Sequence, residues 1–253
     1  MSLSNEFRQS GNYLFRHRSY LPLVFYPIAT LVVIFQENPF LIPDLWWSVI
    51  CLFISFLGLL VRALAIGYAP TGTSGRNTKK QKAEVLNYSG IYGYLRHPLY
   101  LGNFLMWLGI MLYTQSFWFT AIGILLFFIY YERIMFAEEA FLKEKFGAQF
   151  QEWSKNTPAF IPKFRKWIKP PLKFSPRYVL KREYRGVLAI IISFAYLNVL
   201  KHYINSQELN ISLFWLISLA AGLIFFLIIR LLDKKTKVLT TDRTIQKSEG
   251  DQP

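Results

Sequence analysis

Apolar residues in this chain are gathered into blocks, with charged residues collected in the gaps, and show little of the alternation a soluble core requires. Blocks at 21–35, 45–68, 187–203 and 211–232 read as spans of a hydrocarbon layer about 30 Å thick. Two shorter blocks, 100–113 and 117–131, are separated only by Thr114, Gln115 and Ser116. Each is shorter than the roughly 20 residues of an ordinary span. Together they predict a tight helical hairpin whose first helix starts at Pro98, and an all-α polytopic membrane protein with about six transmembrane helices.

Four regions follow from this pattern. Residues 1–68 hold two N-terminal spans joined by an acidic external loop at 36–44. Residues 69–186 form a core of cytoplasmic loop, hairpin and cytoplasmic helix. Residues 187–236 carry two C-terminal spans, and 237–253 is expected to be a disordered tail. The second arm of the hairpin is expected to run on as a helix and stop at Gly147, since glycine suits a left-handed helix end. The stretch 156–176 combines prolines with lysines and aromatics and is expected to lie along the interface. No internal repeat is visible.

Composition agrees with the blocks: 53% of residues are hydrophobic, 18% are aromatic and mean hydropathy is +0.26. Charge then gives the orientation. Of 29 Lys and Arg residues, all but Arg62, inside the second span, and Lys201, assigned to an opposite loop, fall on one side of the predicted layer. The positive-inside rule therefore puts both termini in the cytoplasm, in an inner membrane. The net charge of +14 reads as a topology signal and an attraction to anionic headgroups, not as a nucleic-acid footprint. A lone Cys51 excludes a disulfide framework, and no metal site is expected. Residues 1–19 are polar, so the first apolar block is expected to be a span and not a cleavable leader.

The chemistry concentrates in two places. The segment from Ser89 to Asn103 is polar, aromatic and glycine-punctuated, and runs directly into the apolar hairpin; Glu138 and Glu139 lie at the hairpin's far end. Pro98 suits a first helical turn, so the chain at His97 is expected to offer free backbone donors to an anion, with Arg96 adding a charge-assisted hydrogen bond. Tyr92, Tyr94 and Tyr100 can wall a flat pocket for an adenine ring or a sulfonium, and Gly93 and Gly102 permit close backbone approach. Each residue also has a plainer role. Arg96 can snorkel to lipid phosphate, the tyrosines can sit at headgroup depth, and the glutamates can pair with Lys143 on a solvated face. Adjacent on a helix, Glu138 and Glu139 point in different directions, so one is expected to face a site.

These residues carry a resemblance. Gly90-Ile91-Tyr92, then Arg96-His97-Pro98-Leu99-Tyr100-Leu101-Gly102, then Glu138-Glu139 with Leu142 and Phe146-Gly147, and finally Phe160-Ile161-Pro162, together resemble the isoprenylcysteine carboxyl methyltransferase and phospholipid methyltransferase superfamily over residues 81–163. The resemblance implies a helical membrane enzyme that uses S-adenosylmethionine from the cytoplasm and admits a membrane lipid sideways between helices. On matching positions it assigns cofactor contacts to Leu86, Asn87, Tyr92, His97, Pro98, Leu99, Tyr100 and one of Glu138 and Glu139. The glycine reading above adds Gly102.

Arg96, His97 and Glu139 are the expected catalytic residues, and Arg76, Arg96 and Arg133 are expected to bind the acceptor. The carboxyl methyltransferases carry an arginine one turn before the cofactor-binding glutamate; here that turn holds Ile134, with Arg133 displaced by one. A loop at 71–80 joins glycines and small hydroxyl residues to three cations, which suits a phosphate and equally suits a solvated loop. It is similar to the lipid A phosphate methyltransferases of the superfamily, so a lipid phosphate oxygen is the expected acceptor. Phospholipid amine and isoprenylcysteine carboxylate are competitors. A sterol-reductase-like oxidoreductase and a non-catalytic lipid-binding protein are the readings from other classes. Oligomeric state is not legible.

Overall fold

The computed structural model describes residues 2–35, 44–73, 81–164 and 167–243. Among these the regular structure is all helix, with no strand: α1 (Leu3–His17), α2 (Phe25–Phe35), α3 (Asp44–Tyr68), α4 (Pro98–Tyr113), α5 (Phe117–Asn156), α6 (Pro176–Ser206) and α7 (Leu213–Lys235). Short 3₁₀ turns occupy Leu21–Val24 and Gly90–Gly93.

Four of these helices, α3, α5, α6 and α7, are each long and apolar enough to cross a membrane. Their outward faces carry exposed apolar side chains such as Phe53, Leu125, Ile217 and Ile224, as expected where hydrocarbon replaces water. The expectation of six separate spans needs adjusting. α1 and the segment Leu21–Phe35 pass the same test only as a pair bent by 74°, and α4 is a shorter apolar helix. The bend falls near Pro22 and Pro27, which remove backbone donors at the join.

Phe7, Gly11 and Phe15 recur at helical spacing along α1 and give a face that packs on α5, so the polar N-terminus is a helix in its own right. Small residues let α3 and α4 touch: a Cβ on Gly58 would come within 2.5 Å of the Gly102 carbonyl oxygen. One apolar core, around Tyr113, Phe194 and Trp215, joins α3, α4, α6 and α7. A second, built from Phe15, Tyr100, Phe127, Tyr131 and Ile134, ties α1, α4 and α5 together close to the charged clusters.

The turn between α4 and α5 is as tight as expected, with Gln115 at φ 58° and the Ser116 side chain accepting from the Phe119 N–H. From Phe117 to Phe146, α5 rises about 45 Å at 1.5 Å per residue, more than the hydrocarbon requires. At Gly147 (φ 50°, ψ −121°) helical geometry breaks, as its glycine predicted, but the helix resumes and runs to Asn156.

Two expectations are corrected. Lys201 lies within α6, not in a loop: it is buried, with its ammonium 4.2 Å from the centroid of the Tyr113 ring. Residues 237–243, expected to belong to a disordered tail, are held against the helices at Leu239 and Arg243. Leu239 is buried beside Tyr184 and Ile229, and the Arg243 guanidinium donates to the carbonyls of Gly67 (2.8 Å), Ala69 (2.9 Å) and Lys173 (3.2 Å). The Gly67 and Ala69 carbonyls belong to or follow the C-terminal end of α3, where backbone acceptors have no helical partner. Of the external loop expected at 36–44, residues 36–43 lie outside the described residues, as do the last ten residues, and Asp44 opens α3.

Candidate active site

Local sequence dictates how the first cluster is held. The short turn Gly90–Gly93 needs Gly90 at φ 61°, and the chain from there to His97 is clamped by the segment that follows α5. Arg96 and His97 N–H donate to the Pro158 and Ala159 carbonyls at 2.8 and 3.0 Å, and the Lys163 N–H donates to the Tyr94 carbonyl. Pro98 then opens α4 with His97 as its cap residue. The expected set of free backbone donors at this end is smaller than the sequence implied. Pro98 has no N–H, His97 N–H is taken by Ala159, and Tyr100 N–H returns to the His97 carbonyl at 3.1 Å.

The α4–α5 hairpin brings the second cluster back to the first. The Tyr100 hydroxyl donates to Glu138 Oε2 at 2.8 Å, and the Arg96 guanidinium donates to both Glu139 oxygens at 2.8 and 3.0 Å. His97 sits between the carboxylates, with Nε2 2.9 Å from Glu139 Oε1 and Nδ1 3.6 Å from Glu138 Oε2. Burial pushes the His97 imidazole toward neutrality, but its contacts with Glu138 and Glu139 outweigh this and hold it above its ordinary value. A doubly protonated ring has a donor for each carboxylate.

These groups border a cavity of about 740 Å³ between α3, α4, α5, α6 and the 81–97 segment, within the roughly 300–1,000 Å³ range of small-molecule sites. Leu86, Asn87, Tyr92, Arg96, His97, Pro98, Leu99, Tyr100 and Glu138 all line it. Tyr92 is hydrogen-bonded with Asn87, and its hydroxyl is raised by burial and by the Glu138 charge, with Arg62 and Arg182 acting in the opposite sense. Glu138 and the rings of Tyr92 and Tyr100 therefore share the cavity wall with His97, Arg96 and Arg18.

Residues 46–149 match the phospholipid methyltransferase family. The chain is 31% identical over 156 residues to the cobalt-zinc-cadmium resistance protein CzcN of Cupriavidus metallidurans, covering 62% of this chain and 68% of that protein. It is 28% identical over 152 residues to the nickel-cobalt-cadmium resistance protein NccN of Alcaligenes xylosoxydans xylosoxydans, covering 60% and 68%. Over 85 residues it is 33% identical to the protein-S-isoprenylcysteine O-methyltransferase of Schizosaccharomyces pombe, covering 34% and 36%. The chain belongs to the isoprenylcysteine and phospholipid methyltransferase superfamily. No solved structure matches it.

Not every residue assigned from the superfamily motif reaches the cavity. Of the glutamate pair, Glu138 lines it, whereas Glu139 is turned to Arg96 and His97 behind the wall. Gly102 faces α3: a Cβ there would collide with the Arg62 side chain, so its small size serves helix packing and leaves no contact with the cavity. Arg133 stacks on the Phe7 ring of α1, 3.4 Å from its centroid, because one residue along a helix turns the side chain by about 100°. Arg76 lies outside the described residues. Of the glycine-rich loop, Thr73 lines the cavity.

Other lining residues carry no role in the motif. Arg62 donates from Nε and Nη2 to Glu183 at 2.8 and 2.7 Å and from Nη1 to Asn103 Oδ1 at 2.5 Å, and Asn103 donates in turn to the Tyr131 hydroxyl at 3.1 Å. This chain of bonds links α3, α4, α5 and α6 beneath the cavity. The signal for it was present in the sequence: an arginine inside an apolar block is costly unless paired, and marks a functional or structural site.

Proposed function

We propose that this membrane methyltransferase uses S-adenosylmethionine as donor and methylates an oxygen of a membrane lipid phosphate, with the cavity and both termini on the cytoplasmic side of an inner membrane. The observation that carries this reading is the convergence of the RHP segment and Glu138 on one cavity between membrane helices. The residues suit the donor's chemistry. A carboxylate at Glu138 with the rings of Tyr92 and Tyr100 suits a cationic centre, and Asn87 offers hydrogen bonds to a nucleoside; Arg96, whose donors go to Glu139 and to the Ser154 and Thr157 carbonyls, contributes positive charge at the wall.

When bound, S-adenosylmethionine supplies an electrophilic methyl group that an acceptor oxygen takes as the carbon–sulfur bond breaks and a neutral thioether leaves. The protein's task is then alignment and exclusion of water, worth up to about 7–11 kcal/mol in favourable cases. A phosphate oxygen arrives deprotonated and asks for no base. Glu138 and Glu139 make His97 hold its proton more tightly and face its two ring nitrogens; Glu139 fixes Arg96 and His97 in place. An amine acceptor would instead need a base, and His97, with both ring nitrogens turned to Glu138 and Glu139, is poorly suited to that task.

The test is incubation of purified protein with methyl-labelled S-adenosylmethionine and, separately, a lipid phosphate, an isoprenylcysteine and an amine-headgroup phospholipid. Label on the lipid phosphate is expected. Label confined to the amine overturns the phosphate assignment, and no label on any lipid overturns the enzyme reading.

A further inference from the structure

We infer that the connection between α5 and α6 docks on an anionic lipid surface, with Ile161, Phe164, Trp167 and Ile168 dipping into the interface beside Lys163, Lys169 and Lys173, and that this docking tightens the RHP segment the connection clamps. Such a contact adds a partner to the methyl-transfer reading and stands without it. The matched family region ends at residue 149, so the connection is a contribution of this chain outside it.

Both ends of the connection are pinned to membrane helices. Phe160 packs edge-on against Phe104 of α4 and Phe128 of α5, with ring centroids 5.9 and 5.2 Å away. Phe174 packs against Tyr68 at the end of α3, centroids 5.2 Å apart, and the adjacent Ser175 N–H donates to the Gly67 carbonyl at 3.0 Å. Between these anchors the described backbone is irregular. Irregular backbone open to lipid does not occur within hydrocarbon, so the stretch runs at headgroup depth. Its apolar side chains nevertheless face outward: Ile161 is 77% and Phe164 83% exposed, with Trp167 and Ile168 exposed beside them. A row of this kind, aromatic and next to spans, fits a membrane interface.

Charge selects the kind of surface. Lys163, Lys169 and Lys173 are exposed along the same stretch. Between Glu152 and Glu183 the sequence holds nine Lys and Arg residues and no Asp or Glu. Cations interleaved with aromatics and free of acidic neighbours along the chain fit an anionic leaflet, whereas zwitterionic headgroups offer them no net attraction.

The same stretch holds the site in shape. The Ile168 carbonyl accepts from the Gly90 N–H at 2.9 Å, the Lys163 N–H donates to the Tyr94 carbonyl at 3.0 Å, and the Trp167 ring lies against both Tyr94 and Tyr68. A surface that binds the packed connection and not the detached one stabilises the packed form. With it are stabilised the residues from Tyr92 to His97, several of which line the cavity.

Amide hydrogen exchange decides this without turnover. Full-length protein is placed in nanodiscs of phosphatidylcholine alone and of phosphatidylcholine mixed with phosphatidylglycerol. Exchange in the wild type is expected to slow about fivefold or more at residues 90–97, 160–164 and 167–169 in the anionic discs, with the middle of α7 unchanged. High salt should weaken the effect. Lys163→Gln/Lys169→Gln/Lys173→Gln is expected to lose the lipid dependence, and Lys163→Arg/Lys169→Arg/Lys173→Arg to keep it, which separates lost charge from lost folding. Lys234→Gln/Lys235→Gln, at the exposed end of α7, should keep it as well. Equal exchange in the two discs overturns the inference, as does a lipid dependence that survives the lysine-to-glutamine triple variant, or slowing spread evenly over the chain. A soluble acidic peptide added to the phosphatidylcholine discs is expected to leave exchange unchanged; protection equal to that from phosphatidylglycerol would assign the surface to a protein partner and overturn the lipid assignment. No donor enters the experiment, so the methyl-transfer reading stands or falls separately, by its own labelling assay.

Discussion

The Tyr100 hydroxyl donates to Glu138 Oε2 at 2.8 Å, joining the first turn of α4 to α5 across the hairpin and fixing the carboxylate that faces the cavity. Tyr100 is itself buried, stacked on His97 on one side and packed against Tyr131 on the other. Tyr100→Phe keeps the ring and removes the donor. A hydrogen bond to a charged group contributes about 1.5–3 kcal/mol to stability, so the melting temperature in detergent should fall, and with Glu138 no longer held toward the cavity S-adenosylmethionine affinity by calorimetry should fall about tenfold or more. Unchanged affinity would show that Glu138 is oriented by other groups.

The pair beneath the cavity has a different signature. Arg62 and Glu183 have side chains only 22% and 6% exposed, so removing one partner strands the other charge at a cost of about 3–5 kcal/mol. Glu183→Met should lower the melting temperature in detergent sharply, and Arg62→Met/Glu183→Met should recover a large part of the loss. A double variant no better than the single one would mean the pair does more than neutralise itself.

Protonation of His97 gives a pH prediction with a definite sign. Its folded-state value is raised above the ordinary 6.5, so the folded chain binds that proton more tightly than the unfolded one. The resulting stabilisation is complete below about pH 6.5 and is lost as pH climbs through the raised value. The melting-temperature difference between wild type and His97→Asn should therefore shrink from acid to alkaline pH. A difference that grows with pH would contradict the arrangement.

Arg243 predicts a local effect. Its three carbonyl acceptors bind the chain's last described residues to the end of α3 and to Lys173, and the Thr71 N–H returns to the Arg243 carbonyl at 3.1 Å. Arg243→Ala should speed amide hydrogen exchange at residues 69–73 and 237–240 while leaving the α4–α5 hairpin protected. Uniform exchange across the chain would show global destabilisation instead.

Much of this architecture was legible because the membrane simplifies the code: apolar blocks became helices, the three-residue gap became a tight turn, and Gly147 interrupted its helix. The first cluster was readable as Pro98 placed His97 at a helix start. What sequence could not give was helix phase. A single residue decides that Glu138 faces the cavity while Glu139 backs Arg96, and that Arg133 turns to Phe7. Nor could it give contacts distant along the chain: Arg62 stood out inside a span, but its partner Glu183 lies 121 positions on. Gly102 misled for a related reason, since a glycine that admits a ligand and one that admits a neighbouring helix are identical in sequence.

The most direct test of the central claim, that the Arg96–His97–Tyr100 collar and Glu138 enclose one donor site, is calorimetric titration of S-adenosylmethionine into purified wild type and Glu138→Gln. Saturable binding by the wild type, weakened about tenfold or more in the variant, is the predicted result. No saturable binding by the wild type, or equal affinity in both proteins, would contradict it.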